Sequence, residues 1–462
     1  MNASLAQSPR EIVASGLCIG CGGCTTLAPA AEMRWNANGH LQPATPKPWP
    51  APERFAQVCP FSPTAANEDV IAAERFPEAP HGDALIGRYA GAYVGHVDEG
   101  AFRMGGSSGG MVSWVAAELL RRGLVDGVAH VTPRSRDEGD GRLFGYRVSR
   151  DVEQLREGAK SRYYPVELSS VLREIAEVPG RYAVVGIPCF IKAVNLLRRE
   201  NPLFAERITH TIGLFCGHMK SAAMVDSFAM QLGAEPDAVA AIDYRLKNPD
   251  RPANWYTAQL TLQDGSTRQQ DWWHLVDGDW GSGFFMNSAC NFCDDVVAET
   301  ADIAMGDAWV EPYSSDGKGT NVVIARSPLM LELVRDGIAE GRLQLSEVDH
   351  AFVSQTQAAG FRQRREGLAY RLAKARLAVQ PVKRVAPSTA MPARRKLIYR
   401  MRQAISHGSH RAFRLSRALH WPGLYIRWGR LALATYHGLA YSRGRLGAWV
   451  DRVIDPKAAG RD

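Results

Sequence analysis

"YAVVGIPCFIKAVNLLRRE", residues 182–200, is the stretch that decides the fold. Its opening, "YAVVGIP", is an unbroken apolar run of strand length, the pattern of a strand covered on both faces. "CFIKAVNLLRRE" then reads as a helix. The same unit recurs in both directions. "ITHTIGLFC" (208–216) is a second buried strand, followed by the helical "SAAMVDSFAMQLG" (221–233). Upstream, "GGMVSWVAAELLRRG" (109–123) reads as a helix after a glycine loop, and "VDGVAHVT" (125–132) as the strand that follows it. Strands alternating with helices predict an α/β domain with a largely parallel sheet. Further on, Tyr256, Ala258, Leu260 and Leu262 alternate with polar residues and run into Asp264-Gly265, which predicts an antiparallel hairpin insertion. "ADIAMGDAW" and "NVVIARS" read as two more short strands.

At 462 residues, 45% hydrophobic and 22% charged, the chain has the length and composition of two or three globular domains. Residues 1–80 are rich in cysteine and proline, residues 81–360 carry the α/β pattern, and residues 361–462 form a basic extension. That extension holds 23 Lys and Arg against four Asp and Glu, while the rest of the chain holds 32 against 44. The overall charge of +7 therefore hides an acidic body and a cationic tail. Pro43, Pro46, Pro48, Pro50 and Pro52 predict a stiff, extended connector. The first 17 residues lack the apolar segment of a secretory signal, and no apolar run approaches the ~20 residues of a membrane span. A cytoplasmic protein is expected, with eight cysteines available for metal rather than disulfides.

In the tail, Leu397, Ile398, Met401 and Ile405 fall on one helical face, with Arg394, Arg395, Lys396 and Arg402 mostly off it. Together with Trp421 and Trp428 this suits the surface of an anionic membrane on the inner, cytoplasmic side. The competing reading is a helical extension that packs on the acidic body. No nucleic-acid-binding module is recognisable.

The cysteines divide into two sets of four. In "CIGCGGCTTLAP" (18–29), Cys18, Cys21 and Cys24 repeat at the spacing by which bacterial ferredoxins wrap an iron–sulfur cube, but Ala28 stands where the fourth cysteine belongs. A cysteine–proline pair reappears at Cys59-Pro60, so Cys18, Cys21, Cys24 and Cys59 read as one 4Fe–4S site. Zinc and purely structural cysteines are the alternatives; structural zinc sites pair two C-x2-C knuckles rather than running three cysteines together. Cys189 and Cys216 end two of the buried strands, at the edge where open α/β sheets place ligands, and Cys290 and Cys293 form a C-x2-C. Spacing alone leaves this second set open between a cluster, zinc and buried structural thiols.

The segments "FRMGGSSGGMVSWVAAELLRRGLVDGVAHV", "KSRYY", "VVGIPCFIKAV", "IGLFCGHMKS" and "CNFCDDVVAETADIAMGDAW", in this order, resemble the beta subunits of the coenzyme F-420 hydrogenase/dehydrogenase family. The resemblance runs from about residue 14 to about residue 345. "MRWNANGHLQPA" (33–44) is similar to the ferredoxin-like module fused to many members, in which the fourth cysteine stands downstream before a proline. Here Phe61 replaces the glycine that can follow that proline. The resemblance implies an iron–sulfur flavoprotein oxidoreductase with two 4Fe–4S clusters and FAD. Cys189, Cys216, Cys290 and Cys293 match the family's cluster ligands. Gly106, Ser107, Ser108, Gly109 and Gly110 match its glycine loop before a helix, a physically apt phosphate cradle. Lys160, Ser161, Arg162 and Tyr163 match a segment that could offer a cation to the phosphates or the flavin ring, and Asp307 is a weaker candidate contact. The implied path takes electrons from a ferredoxin-like donor through both clusters to FAD and on to an organic acceptor. Relatives reduce a deazaflavin coenzyme or chlorophyll-type tetrapyrroles, and bacterial ones occur in polysaccharide-synthesis settings. An electron-transfer subunit that feeds a partner oxidoreductase is the alternative. His218, Lys192 and Tyr164 are the candidate proton donors.

Overall fold

A computed structural model describes residues 8–135 and 140–454; the outer ends of the expected 1–80 and 361–462 segments lie outside these residues. Its centre is an eight-stranded sheet. The strands are β1 (Gly91–Val97), β2 (Gly127–Pro133), β3 (Phe144–Ser149), β4 (Tyr182–Gly186), β5 (Ile208–Leu214), β6 (Ile303–Asp307), β7 (Asn321–Ala325) and β8 (Leu343–Glu347), in the order β8-β1-β7-β6-β5-β4-β2-β3. β2, β4, β5 and β6 run parallel to their neighbours in this group. Antiparallel pairs flank them: β3 beside β2, and β7, β1 and β8 beyond β6. β4 lies within the parallel group, which explains its unbroken apolar run. Its alternate residues serve opposite faces. Ala183 and Val185 meet Trp114 and Val115 of helix α1 (Met111–Arg121), while Tyr182 and Val184 meet Phe190 and Val194 of helix α2 (Pro188–Glu200). α2 starts on Pro188, whose missing N–H a first helical turn does not need.

The antiparallel insertion is a separate three-stranded sheet of Val239–Asp243, Thr257–Leu262 and Thr267–Asp271. The N-terminal segment holds a hairpin of Glu32–Trp35 and Leu41–Ala44. The proline-rich stretch is less uniform than expected. Pro43 sits within the second hairpin strand and Pro52 opens the helix Pro52–Val58, so the extended connector shrinks to residues 45–51. Both positions tolerate a residue without an N–H.

The tail is helical: α3 (Ala393–Ala418), α4 (Pro422–Tyr441) and α5 (Gly444–Val453). Ile398 and Ile405 are buried with Phe285, Phe413 and Tyr425. The apolar face expected at a membrane therefore packs on the body, and Arg417 adds an ion pair with Asp226 at 3.2 Å. Of the two readings of that face, packing on the body is the one realised. Its aliphatic side chains shed water against apolar residues of the body such as Phe285. No helix among the described residues is long and apolar enough to cross a membrane. One core joins all three expected segments, bringing Ile12 and Phe55 against Leu172 and Phe190, with Leu368 and Val379 from the tail.

Candidate functional site

Cys18, Cys21, Cys24 and Cys59 line a single small cavity of about 30 Å³. The loop that carries three of them is pressed on the body: the Leu168 N–H donates to the Cys21 carbonyl at 2.9 Å. Gly22 has φ +79°, and a Cβ there would lie 2.7 Å from Glu167 Oε2, so the close approach demands glycine. Cys59 caps the C-terminus of the helix Pro52–Val58 and swings into the same cavity. Ala28 is buried at the end of the short helical turn Gly23–Leu27 and is no part of the cavity wall. Burial pushes the Cys59 thiol up to about 12, and Cys21 adds to the shift.

The second set is assembled from separate elements. Cys189 lies in the first turn of α2, Cys216 just beyond β5, and Cys290 and Cys293 in and after the short turn Ser288–Phe292. Burial raises the Cys189 thiol well above its usual range, and Cys293, Cys216, Cys290 and Cys21 each contribute further. Cys189, Cys290 and Cys293 pack against the same apolar core as Cys18, Cys21, Cys24 and Cys59, so the two sets lie in one region of the fold. All eight cysteines are free thiols. Among the described residues no three Cys, His, Asp or Glu side chains are gathered as for a single metal ion.

Next to the second set is a cavity of about 280 Å³ at the carboxyl ends of β4, β5 and β6, with Cys216 in its wall. Gly106, Ser107, Ser108, Gly110, Lys160, Ser161, Arg162, Tyr163 and Asp307 all line it. Gly109 lies beneath, where a Cβ would come within 2.9 Å of Asn321 and of the Gly95 carbonyl. Gly110 caps α1 with φ +88°. The Asn321 Oδ1 accepts the Met111 N–H at 3.1 Å, so the first amide of α1 is already engaged. The glycine loop and the lysine segment are tied together by the Ser161 N–H, which donates to Ser107 Oγ at 2.8 Å. Lys160 holds φ +95°, a strained value for a non-glycine residue, and its Nζ pairs with Asp243 at 2.5 Å. Arg162 stacks over Phe144 at 4.9 Å, and its buried Nε has no partner. Asp307 is engaged by Arg245 through contacts of 2.9 and 3.2 Å.

Of the three candidate proton donors, His218 and Tyr164 face this cavity. His218 stacks on Trp280 at 4.3 Å, and its Nε2 is buried without a partner. Lys192 does not face it. Its ammonium is paired with Glu68 at 3.1 Å, because a buried cation on that flank of α2 needs a carboxylate more than solvent access. Sequence reasoning missed Arg245, Lys220, Tyr146 and Trp280 in the cavity wall. Lys220 stood within the quoted "IGLFCGHMKS"; burial pushes its ammonium down to about 7. Tyr146 carries no local signal, since only the fold places its ring beside both Cys189 and Cys21.

Two family models match this chain, both for the coenzyme F420 hydrogenase/dehydrogenase beta subunit. The model of its N-terminal part covers residues 92–173, and the model of its C-terminal part covers residues 180–351. The chain belongs to this family. Among its relatives, a coenzyme F420-dependent sulfite reductase of Methanocaldococcus jannaschii is 24% identical over 330 residues, 68% of this chain and 45% of that protein. One subunit of the F420H2 dehydrogenase of Methanosarcina mazei is 36% identical over 112 residues, 24% of this chain and 30% of that one. The chain thus spans less than half the length of these relatives. A chain of the F420-reducing [NiFe] hydrogenase complex from Methanosarcina barkeri aligns with TM-score 0.49 and 15% identity, over 66% of this chain and 99% of its own. The relatives' names make them oxidoreductases or oxidoreductase subunits.

Proposed function

We propose that the chain is an iron–sulfur flavoprotein oxidoreductase that accepts single electrons from a ferredoxin-like donor and passes them to an organic acceptor. The observation that carries this reading is the position of Cys216, which belongs to the second cysteine set and also to the wall of the large cavity. When bound, 4Fe–4S clusters would supply one-electron transfer and FAD would convert it to two-electron chemistry.

Cys18, Cys21, Cys24 and Cys59 would hold the first cluster, and Cys189, Cys216, Cys290 and Cys293 the second. The residue chemistry fits these groups. Each set offers four partly buried free thiols, as four iron corners require, and those of the first set line one cavity. The loop 106–110 offers small residues at a helix start, and Arg162 a buried unpartnered donor, as an anionic dinucleotide requires. Cys21 and Cys189 bring the two sets together, with Tyr146 filling the space beside both. Trp280 and Tyr163 pack with ring centroids 4.8 Å apart in the cavity wall. His218 Nε2 and the Tyr164 ring line the space where an acceptor would take up a proton.

A second reading is an electron-transfer subunit without a substrate of its own. It is favoured by the relative whose name makes it one subunit of a dehydrogenase. Anaerobic mixing of the isolated chain with reduced ferredoxin separates the two. The first reading expects bleaching of the flavin bands and then reoxidation by a small-molecule acceptor without any partner chain. Reoxidation only after a partner oxidoreductase is added would establish the second.

A further inference from the structure

Arg364 closes the helix Ala358–Arg364, beyond the last residue matched by the family models. Its side chain is 3% exposed. Nη2 donates to the carbonyls of Cys216 and Gly217 at 2.9 and 2.8 Å, while Nη1 is buried with no partner. Among the described residues it forms no ion pair. Lys383 pairs with Asp294, Arg384 with Glu299 and Asp294, and Lys192 with Glu68, whereas among the described residues Lys220 and Arg371 donate to backbone carbonyls and, like Arg364, form no ion pair. A buried guanidinium without a carboxylate costs several kcal/mol unless negative charge is supplied from elsewhere. Both carbonyls that Arg364 binds belong to the turn that carries Cys216, so the guanidinium lies against the second cysteine set.

We infer that Arg364 is the fixed counter-charge of the second cysteine set, favouring the gain of an electron there and setting that site's reduction potential above the value it would have without the guanidinium. The inference rests on the cluster reading of Cys189, Cys216, Cys290 and Cys293. The step is the uptake of one electron, supplied in the test by dithionite, with no bond made or broken. A cation held at fixed distance in a low-dielectric interior lowers the energy of the more negative state. The cation acting on the first set, Lys192, is already neutralised by Glu68, so the effect belongs to one set. Arg364 is a positioning residue here: it also pins the Cys216-Gly217 turn that leads into the cavity wall.

The test is a dithionite titration followed by electron paramagnetic resonance on the full chain, its Arg364→Gln and its Arg364→Lys variants, with iron measured in each. The step that survives in Cys59→Ala is assigned to the second set. Arg364→Gln is expected to keep its iron and lower that one midpoint by at least a tenfold change in the reduction equilibrium, 59 mV for one electron. Arg364→Lys should stay near the parent value. An unmoved midpoint in Arg364→Gln, or an equal fall in Arg364→Lys, would overturn the inference, and so would iron loss in both variants, which would make the residue a clamp. If only Arg364→Gln loses iron, a parent-like midpoint in Arg364→Lys upholds it and a fallen one refutes it. Absence of a second cluster from the parent chain would instead remove the underlying reading, and the inference with it.

Discussion

Three of the four cysteines of the N-terminal set come from one seven-residue loop, Cys18 to Cys24, whereas those of the second set come from a helix start, a strand end and a short turn spread between residues 189 and 293. The first set is local chemistry, with glycines letting one loop wrap a small space and Cys59 closing it. The second is a product of topology. Parallel β4 and β5 end side by side, and their carboxyl edges carry Cys189 and Cys216 to the place where open α/β sheets collect ligands. A second difference is electrostatic: among the described residues Arg364, which donates to the Cys216 carbonyl of the second set, forms no ion pair, whereas Lys192, the cation acting on Cys59, is paired with Glu68. The loop-built set sits at a small apolar cavity, and the sheet-built set shares its wall with the large one.

The largest expected effect separates the two sets outright. Cys59→Ala and Cys216→Ala should each cost about four iron atoms per chain, one cube's worth. Only Cys216→Ala should also alter the flavin absorbance, because only Cys216 lines the large cavity. Equal flavin spectra in the two variants would break the contrast.

The next effect asks how far the tail supports the sheet-built set. Arg384 binds Glu299 at 2.6 and 2.8 Å and Asp294, the neighbour of Cys293, at 3.4 Å. Arg384→Ala would strand buried carboxylates and should cost about 3–5 kcal/mol, read as a fall in the denaturant midpoint. Iron loss in that variant should come from the second set first.

A smaller cost is expected at the glycine loop. In Gly110→Ala the new Cβ would lie 2.6 Å from the Phe102 carbonyl carbon at a left-handed φ, a strain of about 1–3 kcal/mol. Flavin content after gel filtration should drop while iron stays level, which would place the cradle apart from both cysteine sets. Iron falling in step with flavin would contradict that separation.

The last effect depends on pH and lies at the seam between the N-terminal hairpin and the tail. His40 and His410 have ring centroids 5.2 Å apart, and burial pushes them down to about 3 and about 4. The unfolded chain binds these protons near pH 6.5 and the folded chain refuses them, so stability is full above 6.5 and falls as the pH drops towards 4. The loss approaches about 1.4 kcal/mol per pH unit for each histidine. Melting temperatures at pH 7.5 and pH 5 should show the fall, and His410→Gln should reduce it.

The same contrast governs what is legible in the sequence. The first set can be read because three of its cysteines are coded by spacing, and Cys59-Pro60, which lines the same cavity, is recoverable as a displaced pair. The strand–helix units around residues 182–200 are legible because burial on two faces leaves unbroken apolar runs. The strand β7 is legible in "NVVIARS", but β3, β1 and β8 and the antiparallel pairing of all four are not, since pairing direction is set by where connections return the chain. Family motifs supply the glycine loop and "KSRY". Arg364 and Tyr146 have no local mark, because their roles depend on neighbours more than 40 residues away in sequence. The tail's apolar face is legible as a face, but an amphipathic pattern does not say whether a membrane or the chain's own body covers it.

The central claim is that two sets of four thiols hold two clusters in line with a flavin. Its most direct measurement is the iron, sulfide, zinc and flavin content per chain of protein purified without oxygen. The account predicts about eight iron, about eight sulfide, one FAD and no stoichiometric zinc. A colourless chain, or one carrying zinc in place of iron, would contradict it.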